Sequence, residues 1–166
     1  MIEHRPFIGL GKANYGWLNA NYHFSFGQYR DAGRMNWGRL RVWNDDEIAP
    51  GMGFDPHPHR DMEIVTVVLE GALEHEDSLG TRSLIRPDEV QRMSAGTGVA
   101  HSEFNLEDET TTLFQIWILP DRSGQAPSWG QRAFPRGARA GAWEIMASGE
   151  PDKDAALPIR ADARVL

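Results

Sequence analysis

Gly51-Met-Gly-Phe-Asp-Pro-His57-Pro-His59-Arg-Asp-Met-Glu63-Ile-Val-Thr-Val-Val-Leu-Glu70 holds the strongest strand of the chain and, just before it, a pair of histidines. Glu63–Glu70 is rich in β-branched residues and is closed by Gly71, the composition of a strand. Residues 63, 65, 67 and 69 share one face of such a strand and 64, 66, 68 and 70 the other. Both faces are largely apolar, so the sequence predicts a strand covered on both sides. His57 and His59 stand two residues apart. On an extended backbone such side chains point the same way. Pro58 between them holds φ at about −65° and cannot donate to a ladder, which stiffens the pair.

A second cluster, Gly96-Thr-Gly-Val-Ala-His101-Ser-Glu103, repeats the spacing with an imidazole and a carboxylate. Two neighbouring strands would then offer four donors to one metal ion without any cysteine. Packing alone would place Val or Leu at such positions. Without an ion, each buried imidazole would need its own hydrogen-bond partners. His57, His59 and His101 are the first three candidate ligands. Spacing favours Glu103 as the fourth and places Glu63 behind the ligands. His75 is a further candidate to line the cavity or support a ligand, whereas His4 and His23 read as structural. Phe54, Met62, Met93 and Phe104 lie near the ligands in sequence and are candidates to line a pocket. Three imidazoles and a carboxylate suit Fe, Ni, Cu, Mn, Co or Zn and disfavour the all-oxygen sites of Mg and Ca.

The rest of the chain reads as short strands between turns. Tyr22–Phe26 alternates, and Leu40–Trp43 is a strand closed by the turn Asn44-Asp45-Asp46. Leu73–Asp77 and Ser83–Ile85 flank a turn at Asp77–Gly80, and Val90–Met93 follows a turn at Pro87–Glu89. Thr112–Leu119 is a second strong strand, stopped by Pro120. No stretch has helical periodicity. Residues 1–120 are therefore expected to form one all-β sandwich or barrel. Residues 121–142, rich in Gly, Pro, Ser, Ala and Arg, read as an irregular linker. Residues 143–166 read as the start of a second unit or a dimerisation segment, with strands at Ala142–Met146 and Leu157–Leu166 around a polar turn at Ser148–Ala156. The last strand has no obvious local partner, and an unpaired edge is a template for association. A homodimer joined through this segment is the expectation.

Composition narrows the function. The 166 residues carry a net charge of −7 with dispersed arginines, which argues against direct, sequence-independent nucleic-acid binding. With no cysteine, disulfides, zinc fingers, iron–sulfur clusters and thiol nucleophiles are excluded, and a cytoplasmic location fits. No targeting signal is evident, and no stretch approaches the roughly 20 apolar residues of a membrane span.

Gly51-x5-His57-x-His59-x3-Glu63 resembles the first motif of the cupins, with the closing glycine, Gly71, one residue late. HPHRDMEIVTVVLEG (57–71), EHEDSLG (74–80) and QRMSAGTGVAHSEFN (91–105) more narrowly resemble the pirin family, its bacterial members in particular. The likeness runs from about Gly16-Trp17 to Pro120 and includes Asn14–Trp17 and His23–Phe26. It implies a cupin β-barrel, that is, a double-stranded β-helix or jelly roll. It also implies a metal held by His57, His59, His101 and Glu103, with Fe(II) the family's usual ion. Two departures stand out. Asp88 occupies a turn position where the family commonly has glycine. The chain also ends where pirins, which carry two barrels, would begin the second.

The resemblance implies a metal-dependent dioxygenase that takes a small aromatic substrate and dioxygen, cleaving flavonols such as quercetin, with Glu103 as catalytic base. Two other functions share the same site. One is a non-enzymatic, redox-sensing regulator that binds a protein partner. The other is different cupin chemistry such as isomerisation.

Overall fold

The computed structural model describes residues 4–150 and 156–166. In chain order its first strands are β1 (Gly11–Asn14), β2 (Leu18–Tyr22), β3 (Leu40–Ile48), β4 (Gly53–His59) and β5 (Glu63–Glu70). Next come β6 (Leu73–Asp77), β7 (Arg82–Ile85), β8 (Glu89–Ser94), β9 (Val99–Phe104) and β10 (Thr111–Ile118). The last are β11 (Ser128–Ala133), β12 (Ala147–Ser148), β13 (Leu157–Pro158) and β14 (Arg164–Val165). Two single turns of 3-10 helix, Phe7–Gly9 and Arg136–Arg139, are the helical elements among the described residues. The chain is all-β, as its patterning predicts.

One antiparallel sheet of seven strands runs β1-β2-β3-β10-β5-β8-β11, and a second of four runs β4-β9-β6-β7. Apolar residues from both sheets fill the space between them at its two ends. Leu18, Ile48, Val68, Leu73, Ile85 and Leu113 pack at one end. Ile64, Met93, Ala95 and Val99 pack at the other. The outer face of the large sheet is covered by the C-terminal segment: Val65, Val90, Ile116 and Ile118 pack against Met146, Leu157, Ile159 and Val165. β5 carries Val65 into the cluster under the C-terminal segment and Ile64 and Val68 into the space between the sheets, so both its faces are buried, which accounts for its doubly apolar sequence.

Several local readings change. Tyr22–Phe26 is not a strand; β2 ends at Tyr22, and Phe26 makes a single bridge to Tyr29. Asn44-Asp45-Asp46 is not a turn but the middle of β3, which pairs with β2 on one side and β10 on the other. Ladder bonds on both edges override the turn preference of Asn and Asp. The stretch 121–142 contains β11, antiparallel to β8, where polar composition concealed a strand. The strand expected at Ala142–Met146 instead occupies Ala147–Ser148. Leu157–Leu166 holds two short strands rather than one. The final one, β14, pairs with β12 inside the chain, so the last strand has a local partner on one side and stands at an edge of a three-stranded sheet. The polar turn at Ser148–Ala156 lies largely outside the described residues.

The turn at Asp88 confirms its special backbone: φ is +69°, a left-handed conformation that glycine adopts freely and Asp tolerates better than most residues.

Candidate metal centre

The first histidine pair lies on β4, an edge of the small sheet, where two prolines can be accommodated. Pro56 falls at an irregularity in the β4–β9 register between Phe54 and His57. Beyond it, His57 stands directly opposite His101 and His59 opposite Val99. On β9, inward positions alternate through Val99, His101 and Glu103, all buried. On β6, the next strand, His75 faces Glu103 and Asp77 faces His101.

These registers bring three imidazoles together. Ring centroids of His57 and His101 are 4.5 Å apart, those of His57 and His59 4.8 Å, and those of His59 and His101 4.9 Å. His57, His59 and His101 each offer a nitrogen within 4.8 Å of the other two. Glu103 joins His101 and His75 in a second such group that overlaps the first through His101.

Their chemistry fits a bound cation. Burial, then the neighbouring His57, pushes the His59 imidazole down to about 4. Burial, then the other three rings, pushes His101 down to about 2. Both rings are therefore neutral at pH 7, the form that ligates. His57 Nδ1 lies 2.7 Å from the Asp55 carbonyl oxygen; as an N–H donor there, it leaves Nε2 as a lone-pair donor. His101 Nδ1 is 3.4 Å from His75 Nδ1, and His101 Nε2 is buried with no hydrogen-bond partner. A buried nitrogen with nothing to bind is costly, and a metal ion would satisfy it.

Glu103 is enclosed. Gln91 Nε2 donates to one carboxylate oxygen at 2.9 Å and Gln115 Nε2 to the other at 2.7 Å. Burial pushes its carboxyl up, opposed by the His75 and His57 rings and by the two amides. His75, fully buried, lies 3.0 Å from Asp77 through Nε2. Burial pushes Asp77 up, but the hydrogen bonds from His75, Thr81 and Leu79 outweigh it and hold the carboxyl below its ordinary range. His75 thus backs His101, as one of its sequence readings allowed.

Glu63 is elsewhere. It lies on the outer face of β5, accepts a 2.6 Å hydrogen bond from Ser94 Oγ, and is charge-coupled to Arg92 and to Arg160 of the C-terminal segment. The expectation that it stands behind the ligands is corrected by strand parity: residue 63 points away from the interior that Ile64 and Thr66 face.

A cavity of about 130 Å³ opens beside the imidazoles. Its walls include His57, His59, Glu103, Phe54, Trp117 and Asp46. His59 meets Trp117 edge to face at 4.9 Å, and Trp117 meets Phe26 likewise at 5.3 Å. Of the pocket candidates, Phe54 lines this cavity, and Phe104 lines a neighbouring surface groove. Met62 and Met93 pack instead with Ile64 and Val99.

The far wall was missed from sequence. Across the large sheet, Asn44 pairs with Gln115, Gln115 with Thr66, and Thr66 with Gln91. This polar row crosses four strands at one level and meets Glu103 through its two glutamines. Its members come one per strand, so no local motif announces them.

The pirin family model matches residues 4–118. The chain belongs to the pirin family. A pirin-like protein of Caulobacter vibrioides is 58% identical over 166 residues, which is all of this chain and 72% of that one. A quercetin 2,3-dioxygenase of Escherichia coli is 50% identical over 135 residues, 81% of this chain and 58% of that one. Among solved structures, the bacterial pirin YhhW of Escherichia coli in complex with nickel(II) superimposes with a TM-score of 0.90 at 42% identity. The match covers 96% of this pirin and 68% of that chain. The fold is accordingly that of a cupin-type β-barrel.

Proposed function

We propose that this pirin is a metal-dependent dioxygenase of hydroxylated aromatic compounds, with flavonols such as quercetin as the substrate class to assay. His57, His59, His101 and Glu103 are the proposed ligands of one divalent transition metal. Fe(II) is the ion expected to support turnover, and nickel(II), present in the YhhW relative, is a second candidate. The observation that carries this reading is the convergence of three imidazoles, two of them on the wall of an aromatic cavity and the third, His101, with a buried, partnerless Nε2.

The bound metal would supply a Lewis acid for an aromatic hydroxyl and a meeting point for dioxygen. The chain does the rest. Trp117, Phe26 and Phe54 give a substrate ring an apolar, aromatic wall to pack against. Glu103, buried and held by Gln91 and Gln115, is a better proton acceptor than an exposed carboxylate, because burial disfavours its charge. It is the proposed acceptor of the substrate hydroxyl proton. No helix among the described residues is long and apolar enough to cross a membrane, and we place the reaction in the cytoplasm.

Elemental analysis and oxygen uptake with quercetin, on one metal-replete sample, test the reading. Oxygen consumption with near-stoichiometric metal is expected. Bound metal without oxygen uptake would favour the regulatory alternative. Glu103→Gln should abolish turnover and keep part of the metal; full activity in that variant would remove Glu103 from the mechanism.

A further inference from the structure

Five buried side-chain atoms among the described residues have no hydrogen-bond partner. Two of them, Asn44 Oδ1 and Asp46 Oδ1, belong to neighbouring inward positions of β3, and both residues line the cavity beside the imidazoles. Each residue is only 2% exposed. The contrast with the rest of the polar row is sharp. Gln115 and Gln91 are bonded to Glu103, and Gln91 also donates to Thr66 and accepts from Trp129. Unsatisfied polar groups of the large sheet's inner face are thus concentrated where a ligand would sit. Leaving them unpaired costs stability unless something in the cavity completes them.

The cavity limits what that something is. At about 130 Å³ it is close to the roughly 150 Å³ apolar cavity that holds one benzene ring. A three-ring flavonol does not fit inside; one ring of it does. The adjoining groove, which shares Phe54 and His57 and includes Trp17, Met52 and Phe104, could receive the remainder.

We propose that Asn44 and Asp46 form a recognition site for a hydroxyl group on a single aromatic ring whose other oxygen faces the histidines. The ligand class is a dihydroxylated benzene ring, free or as part of a larger phenol. This rests on the metal-site reading above and adds the group that selects the substrate. Aromatic walls hold the ring. Asp46 accepts from its second hydroxyl, and Asn44 can donate or accept. Burial, then the charges of Glu103 and Asp45, pushes the Asp46 carboxyl up to about 8, so at neutral pH it can also donate. A site built to bond a hydroxyl discriminates against the analogue that lacks it.

The test is calorimetric titration of the nickel(II)-loaded full chain, without oxygen, with phenol, catechol, resorcinol, hydroquinone and quercetin. At least one dihydroxybenzene should bind about tenfold or more tightly than phenol, the size of one added hydrogen bond. Asp46→Ala should reduce that gain to within about threefold, leave phenol binding and metal content intact, and keep or raise the melting temperature. Asp46→Asn should retain part of the gain. A catechol advantage that survives Asp46→Ala would mean chelation by the metal and would overturn the proposal. So would a melting temperature that falls along with phenol affinity, which marks a structural residue. Failure of every diol to exceed phenol also overturns it. Quercetin binding that loses affinity in Asp46→Ala identifies the ring as part of a larger phenol; loss confined to the dihydroxybenzenes identifies the free ring. Because no turnover is measured, an inactive enzyme leaves this outcome readable. Repeating the titration on metal-free protein keeps it readable if nickel does not load.

Discussion

The two walls of the cavity differ in how they are built. The small sheet supplies its titratable groups in local pairs: His57 with His59, His101 with Glu103, His75 with Asp77, each two residues apart on one strand. The large sheet supplies Asn44, Gln115, Thr66 and Gln91 singly, one from each of four strands, aligned only by register. The first wall is set by the pleat of individual strands. The second exists only once the sheet has assembled. The first is therefore a matter of ligand geometry, and the second of how precisely that geometry is held.

Substitution should separate these roles. His101→Ala removes the ring at the centre of both donor groups and should lower metal affinity by more than about a hundredfold, beyond what loss of a supporting residue does. Metal content after dialysis measures it. Retention of stoichiometric metal would place the centre elsewhere. Gln115→Leu, on the opposite wall, leaves Glu103 with one amide donor instead of two. That should weaken metal binding by about ten- to a hundredfold and cost about 1–3 kcal/mol of stability. An effect on stability with unchanged metal affinity would make the polar row mere packing.

The same division explains what could be read before folding. The histidine clusters were legible because their spacing equals the strand period and needs no knowledge of neighbours. Glu63–Glu70 was legible because a strand buried on both faces is apolar at every parity. Asn44 and Asp46 were misread as a turn, since their local preference is for turns and only the ladders to β2 and β10 hold them extended. β11 was missed because Ser128–Ala133 has neither β-branched enrichment nor clean alternation; β8 recruits it by pairing. Glu63 was placed behind the ligands from its spacing after His59, although its parity with Val65 and Val67 already argued for the opposite face.

Asp46 offers a third comparison, through pH. Its carboxyl is raised to about 8, against an ordinary value of about 3.9 in the unfolded chain. Between those values the folded protein holds a proton that the unfolded chain has released. Stability attributable to this group therefore falls as pH rises through that window and levels off above about 8. Asp46→Asn carries no such proton. Its melting temperature relative to the parent should climb between pH 5 and pH 8, then stay flat. A pH-independent difference would show that Asp46 is ionised in the fold and has a partner.

The smallest effect is expected at Glu63, the carboxylate that sits on the far side of β5 from the histidines. Burial raises its carboxyl more than Ser94, Arg160 and Arg92 lower it. The fold thus already disfavours its charge, and Glu63→Gln, which keeps the shape and a hydrogen-bonding oxygen for Ser94, should cost no more than about 1 kcal/mol. Metal affinity should be unchanged, because the β5 backbone separates residue 63 from the interior. Limited proteolysis should instead detect a looser C-terminal segment, since Arg160 loses an acidic neighbour. A drop in metal affinity as large as that of Gln115→Leu would mean that the two faces of β5 are coupled, and that the outer cluster around Glu63 helps hold the centre in place.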